Sequence, residues 1–104
     1  MKDWAPEELQ GHLEKGDRVF LKLWKKGCGP CRLSTPAIER IEAADQHALQ
    51  FGQICVDDHP EMFEITGVDS VPAFFIFKDR KMAGKFLGFK GLEKLKTFVD
   101  EAMA

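Results

Sequence analysis

Five residues, Gly27-Cys28-Gly29-Pro30-Cys31, close an apolar run from Val19 to Trp24 and open a segment that reads as a helix. No other stretch restricts the fold as much. Two cysteines three apart in the first turn of a helix lie on one side of it, near enough to join each other or to bind one metal. A thiol at a helix N-terminus also sits beside unsatisfied N–H groups and the positive end of the helix dipole, and both favour the reactive thiolate. Gly29 leaves the outer sulfur accessible. Pro30 suits the first turn, where a missing N–H costs little.

The frame around this junction is small. At 104 residues the chain is expected to form one domain, spanning 1–104. A chain of this size buries roughly 65% of its unfolded surface, enough to fold without staples. A net charge of −2 and a pI near 5.9 argue against a nucleic-acid binder. No apolar run approaches the length of a membrane span, and Met1 to Pro6 has no apolar stretch like that of a signal peptide. Three cysteines make no disulfide framework. A soluble cytoplasmic monomer with a chemically active C-x-x-C is the expectation.

In chain order, Asp3 is placed to cap a helix starting near Pro6, with Leu9 and Leu13 as its apolar stripe and Gly16 as its stop. Only Met1 to Trp4 remain for a strand before it, so that strand is vestigial or absent. Arg18 to Lys25 reads as a central strand covered on both faces. Lys22 interrupts it, either snorkelling outward along its aliphatic stem or placing a charge beneath the cysteine pair. A helix from about Pro30 to His47 follows, with Leu33, Ala37, Ile41 and Ala44 as its inner face and a kink at Pro36. Leu49 to Val56 is a strand parallel to the first, and Cys55 within it reads as an inert core residue. Asp57-Asp58-His59-Pro60 suggests a metal site, but a loop with a capping Asp before a short helix through Met62, Phe63 and Ile65 is the simpler reading. Phe74 to Phe77 and Met82 to Phe89 form a hairpin across Asp79-Arg80-Lys81. After Gly91 comes a last helix with a stripe of Leu92, Leu95, Phe98, Val99 and Ala102.

With Trp24 four residues before Cys28, Pro36 five after Cys31, Val56-Asp57, Gly67 to Ala73 containing Val71-Pro72, and Gly88, the chain from Val19 onward resembles the thioredoxin family. The resemblance implies an α/β thioredoxin fold, a central mixed β-sheet of four to five strands flanked by four helices. It implies a protein-disulfide reductase with no cofactor beyond a redox-active Cys28–Cys31 disulfide, acting on oxidised protein substrates and recharged by a thioredoxin reductase. Cys28, at the helix end, is the candidate nucleophile, and Cys31 the resolving thiol. Lys25, Lys26 and Arg32 around them favour the anion. Pro72 is expected to be cis, leaving the backbone at Val71 free to pair with an extended substrate, with Gly27 and Gly88 lining the same groove. Three positions depart from the family. Gly27 stands where Trp is usual, which opens the rim. Lys22 replaces a buried Asp that exchanges a proton with the deeper cysteine, and Gln53 replaces a buried Lys. Two rival classes remain: a metal or iron–sulfur binder using Cys28 and Cys31, for which zinc wants four ligands, and a redox-inert interaction module.

Overall fold

A computed structural model describes all 104 residues. The elements run β1 (Lys2–Asp3), α1 (Pro6–Glu14), β2 (Val19–Trp24), α2 (Gly29–Ala43), β3 (Gln50–Cys55), α3 (Glu61–Thr66), β4 (Ala73–Lys78), β5 (Lys81–Leu87) and α4 (Leu92–Met103). One mixed sheet carries the strands in the order β1-β3-β2-β4-β5, with β1, β3 and β2 mutually parallel and β4 and β5 antiparallel to their neighbours. The expected architecture is present, including its alternation of strands and helices.

Period-two alternation along the buried strands builds two cores, one on each face of the sheet. Val19, Leu21, Leu23, Ile54 and Phe75 meet Leu9 of α1 and Met62 of α3. Phe20, Phe51, Phe74 and Ile76 meet Ile38 and Ile41 of α2 and Leu95 and Val99 of α4. Lys22 lies two residues after Phe20 and therefore shares the α2 face.

The strand before α1 is vestigial rather than absent. Lys2 and Asp3 pair with Gly52 and Gln53 of β3, and the Trp4 N–H extends the ladder to the Gln53 carbonyl at 2.8 Å. Asp3 is not the cap of α1. Its carboxylate instead accepts from the Gln53 side chain at 2.7 Å, and Ala5 takes the cap position with its N–H on the Glu8 carboxylate at 3.0 Å.

The inner face of α2 also differs from the expectation. Cys31, Ser34, Ala37, Ile38 and Ile41 are buried, whereas Leu33 is 68% exposed and Ala44 faces solvent. Small and polar residues occupy the first inward positions, so a reading by apolar spacing alone selects Leu33 in place of Ser34. The helix stops at Ala43 rather than His47. Beyond it, the Asp45 carboxylate accepts the N–H groups of His47 and Leu49 at 3.0 and 2.9 Å, a local side-chain turn that competes with continued helix.

Trp4 is buried against β3, and its indole lies where a side chain at Gly52 would have to be. A Cβ at position 52 would overlap the ring carbons, and the ring is enclosed. Gly52→Ala is therefore expected to destabilise the fold by about 1–3 kcal/mol, the usual range for forced overpacking. Urea unfolding measures this, and a variant as stable as the parent would show that Trp4 repacks freely.

Candidate active site

The cysteine pair stands where β2 ends and α2 begins, joined by the exposed residues Lys25, Lys26 and Gly27. Cys28 is the N-cap of α2, with extended backbone at φ −93° and ψ 106°. Its sulfur accepts the Cys31 N–H at 3.2 Å, so a group of the first turn that helices leave unpaired is directed at sulfur. That N–H and the helix dipole would stabilise negative charge at this atom. Cys28 and Cys31 are disulfide-bonded with their Cα atoms 5.3 Å apart, while Cys55 is free and buried. The contrast in access is narrow: Cys28 retains 7% exposure and Cys31 2%. Capping turns the outer sulfur along the helix, which covers it more than its place at the helix end suggests. Gly29 and Pro30 beside it are exposed.

Lys22 does not snorkel to solvent. Only 2% exposed, it reaches across to α2 and donates from Nζ to the Cys31 carbonyl at 2.7 Å and to Thr35 Oγ1 at 3.2 Å. The buried Ser34 hydroxyl donates to the same carbonyl at 2.7 Å. Burial lowers the Lys22 pKa from 10.5 to about 8. Lys22, Ser34 and Thr35 thus form a polar nest directly behind the deeper cysteine. Gln53 sits beside Lys22 in the strand register but turns its amide to Asp3. Ser34 and Thr35 escaped the sequence reading. The available signal was Ser34's position three residues after Cys31, one turn along the same face.

The other groove residues converge on this end of the sheet. Pairing of Leu23 with Ala73 sets the start of β4 beside the end of β2, and the Val71–Pro72 peptide just before it is cis. Pro72 is buried and Val71 half-buried. Gly88 lies one residue past the end of β5, at φ 77°, and its N–H binds the Pro72 carbonyl at 2.9 Å. Gly27 is exposed, takes φ 72°, and has open space where a side chain would project. Trp24 is half-buried, and its indole N–H is buried without a partner.

Asp57 does not cap α3, whose N-cap is Pro60 with no side-chain hydrogen bond. Its Oδ2 instead accepts the Lys26 N–H at 2.8 Å, and Asp58 pairs with the Lys26 ammonium at 3.5 Å. No three His, Cys, Asp or Glu side chains gather as a metal site would require.

Comparison with known proteins agrees with this geometry. The family model described as Thioredoxin matches residues 2–101. A thioredoxin of Rhodospirillum rubrum is 35% identical, over 99% of this chain and 100% of its own length. A thioredoxin of Chlamydia caviae is 34% identical over 80% of each chain, and one of Bacillus subtilis 30% identical over the same share.

Proposed function

Because the chain belongs to the thioredoxin family, and so is a thiol–disulfide oxidoreductase that reduces protein disulfides by dithiol–disulfide exchange, we propose that Cys28 is its attacking thiolate and Cys31 its resolving thiol. The observation that carries this assignment is the Cys31 N–H directed at the Cys28 sulfur from the first turn of α2.

In the first step the Cys28 thiolate attacks one sulfur of a partner's disulfide. A Cys28–partner S–S bond forms, the partner's own S–S bond breaks, and its second sulfur leaves as thiolate. In the second step Cys31 loses its proton and attacks the Cys28 sulfur. The Cys28–Cys31 bond forms, the partner's remaining sulfur leaves, and two electrons have passed to the partner. The two steps require only the pair, so the family's chemistry runs here without a cofactor. The cis Val71–Pro72 peptide, with Gly27, Trp24 and Gly88 around it, is the seat of the partner's extended chain, held by backbone bonds at Val71. Gly29 and Pro30 set the spacing and the helix start.

Lys22 is the residue that tunes this pair. Its ammonium binds the Cys31 carbonyl, one residue's length from the sulfur, and favours the thiolate and therefore the reduced protein. The proposed setting is a cytoplasmic monomer that takes electrons from a thioredoxin reductase and delivers them to oxidised proteins. No helix is long and apolar enough to cross a membrane.

Insulin reduction tests the reading. With dithiothreitol as donor, the protein is expected to accelerate precipitation of the insulin B chain well beyond dithiothreitol alone. No acceleration would mean a redox-inert module on this scaffold. Turnover with NADPH and a thioredoxin reductase then tests the donor.

A further inference from the structure

The loop that delivers Cys28 has almost nothing holding it. Lys25, Lys26 and Gly27 are exposed, and Gly27 has no side chain to pack and the left-handed φ of 72° that only glycine adopts at little cost. The Lys26 N–H to Asp57 Oδ2 bond, 2.8 Å long, is the single hydrogen bond these three residues make. Its acceptor stands on firm ground. Asp57 follows directly on the strand end, where the Val56 N–H binds the Trp24 carbonyl at 2.8 Å and Trp24 pairs with Cys55. The same carboxylate oxygen lies 3.9 Å from the Cys55 sulfur, within reach of its weak S–H donor. A rigid junction of two parallel strands therefore grips a loop whose one other tie is the exposed ion pair of the Lys26 ammonium with Asp58, one residue before the Gly27 hinge and two before the nucleophile.

We infer that Asp57 is a positioning residue for disulfide exchange. It anchors Lys26 and so sets where Cys28 enters α2, taking the part that a packed side chain at position 27 would otherwise play. The inference rests on the reading of Cys28 as the attacking sulfur. What Asp57 supplies is an acceptor for one N–H, not a charge, and this separates it from an electrostatic role. An amide oxygen can accept the same bond, whereas a methyl group cannot.

The test compares Asp57→Ala and Asp57→Asn with the parent in two measurements well below their unfolding temperatures. One is the second-order rate of insulin reduction, the other the pH dependence of Cys28 alkylation by iodoacetamide. Asp57→Ala is expected to reduce insulin about tenfold more slowly, the scale on which small misplacements of a reacting group act. Its alkylation profile should move to higher pH as Cys28 loses its place at the helix end. Asp57→Asn should recover most of both. Parent-like rates and profile in Asp57→Ala would overturn the inference, and so would equal losses in the two variants, which would make charge the operative property. A parent protein inactive towards insulin would instead overturn the function proposed for the pair, so the two failures are distinguishable.

Discussion

A Cys31→Ser variant should accumulate a stable mixed disulfide with oxidised protein targets, while Cys28→Ser should capture none. The expected difference is close to all-or-none, because the proposed roles are sequential: Cys28 would form the bond to the partner and Cys31 alone would break it. Serine keeps the size and the hydrogen-bonding of the side chain but is no nucleophile towards sulfur at neutral pH. In Cys31→Ser the Cys28 sulfur keeps the backbone N–H of residue 31 that stabilises its anion. In Cys28→Ser the remaining thiol is 2% exposed and has no such donor aimed at it. Non-reducing electrophoresis after mixing with an oxidised substrate reads the outcome. Equal trapping by both variants would refute the division of labour. Peptide mapping of the oxidised parent provides the companion result, a Cys28–Cys31 bridge with Cys55 free.

Replacing Lys22 with methionine is expected to change stability and redox poise in opposite senses. Burial lowers the Lys22 pKa from 10.5 to about 8, so the fold disfavours its charged form. The cost is complete below pH 8 and is relieved as the pH rises from 8 to 10.5, where the folded protein has released a proton that the unfolded chain still holds. At 1.36 kcal/mol per pKa unit this amounts to at most about 3 kcal/mol. Methionine keeps the stem without the charge, and the Cys31 carbonyl retains the Ser34 hydroxyl. Lys22→Met should therefore be more stable at pH 7, by about 3 kcal/mol less what the bonds to the Cys31 carbonyl and Thr35 contribute, raising Tm by a few degrees to roughly 10 °C. The advantage should shrink towards pH 10.5, since the parent gains stability there and the variant does not. Urea unfolding at several pH values measures this, and a pH-independent difference would refute a charge-based cost.

The redox effect runs the other way. On the proposed role, the ammonium on the Cys31 carbonyl favours the reduced pair, so its loss should lower the reduction potential by roughly 30 mV, which is about 1.4 kcal/mol for two electrons. Equilibration with glutathione buffers gives the potential. An unchanged potential with slower release of the mixed disulfide would assign Lys22 the part of a neutral base, which the family's Asp plays by other means. If neither quantity moved, the lysine would have no part in the chemistry. A more stable variant with a lower potential would show that the parent trades fold stability for a charge behind the pair.

Much of this protein is written locally and can be read from the chain. The cysteines fall one helical turn apart whatever surrounds them, and the apolar runs at Val19 to Trp24, broken only by Lys22, and Phe74 to Phe77 read as strands in an interior. The turn is read at Asp79-Arg80-Lys81; Asp79 and Arg80 adopt the left-handed backbone that a two-residue hairpin requires, and Lys81 already opens β5. These features depend on neighbours within a few positions, so order of elements, sheet class and reactive pair all follow from sequence. What an apolar or charged side chain meets after folding depends on elements far away in the chain. Lys22 reads more simply as snorkelling than as a charge beneath the pair until α2 is laid across it and offers the Cys31 carbonyl and Thr35. Leu33 and Ser34 differ by one step around a helix, and only the sheet decides which of them is covered. Asp57 reads as a cap for the helix that follows it, but the parallel pairing of β2 with β3 brings it to Lys26 instead. Trp4 covers Gly52 for the same reason, since β1 and β3 meet only in the folded sheet. Local spacing sets which residues can react, and burial, which is a property of the whole packed molecule, sets the charge and position with which they do so.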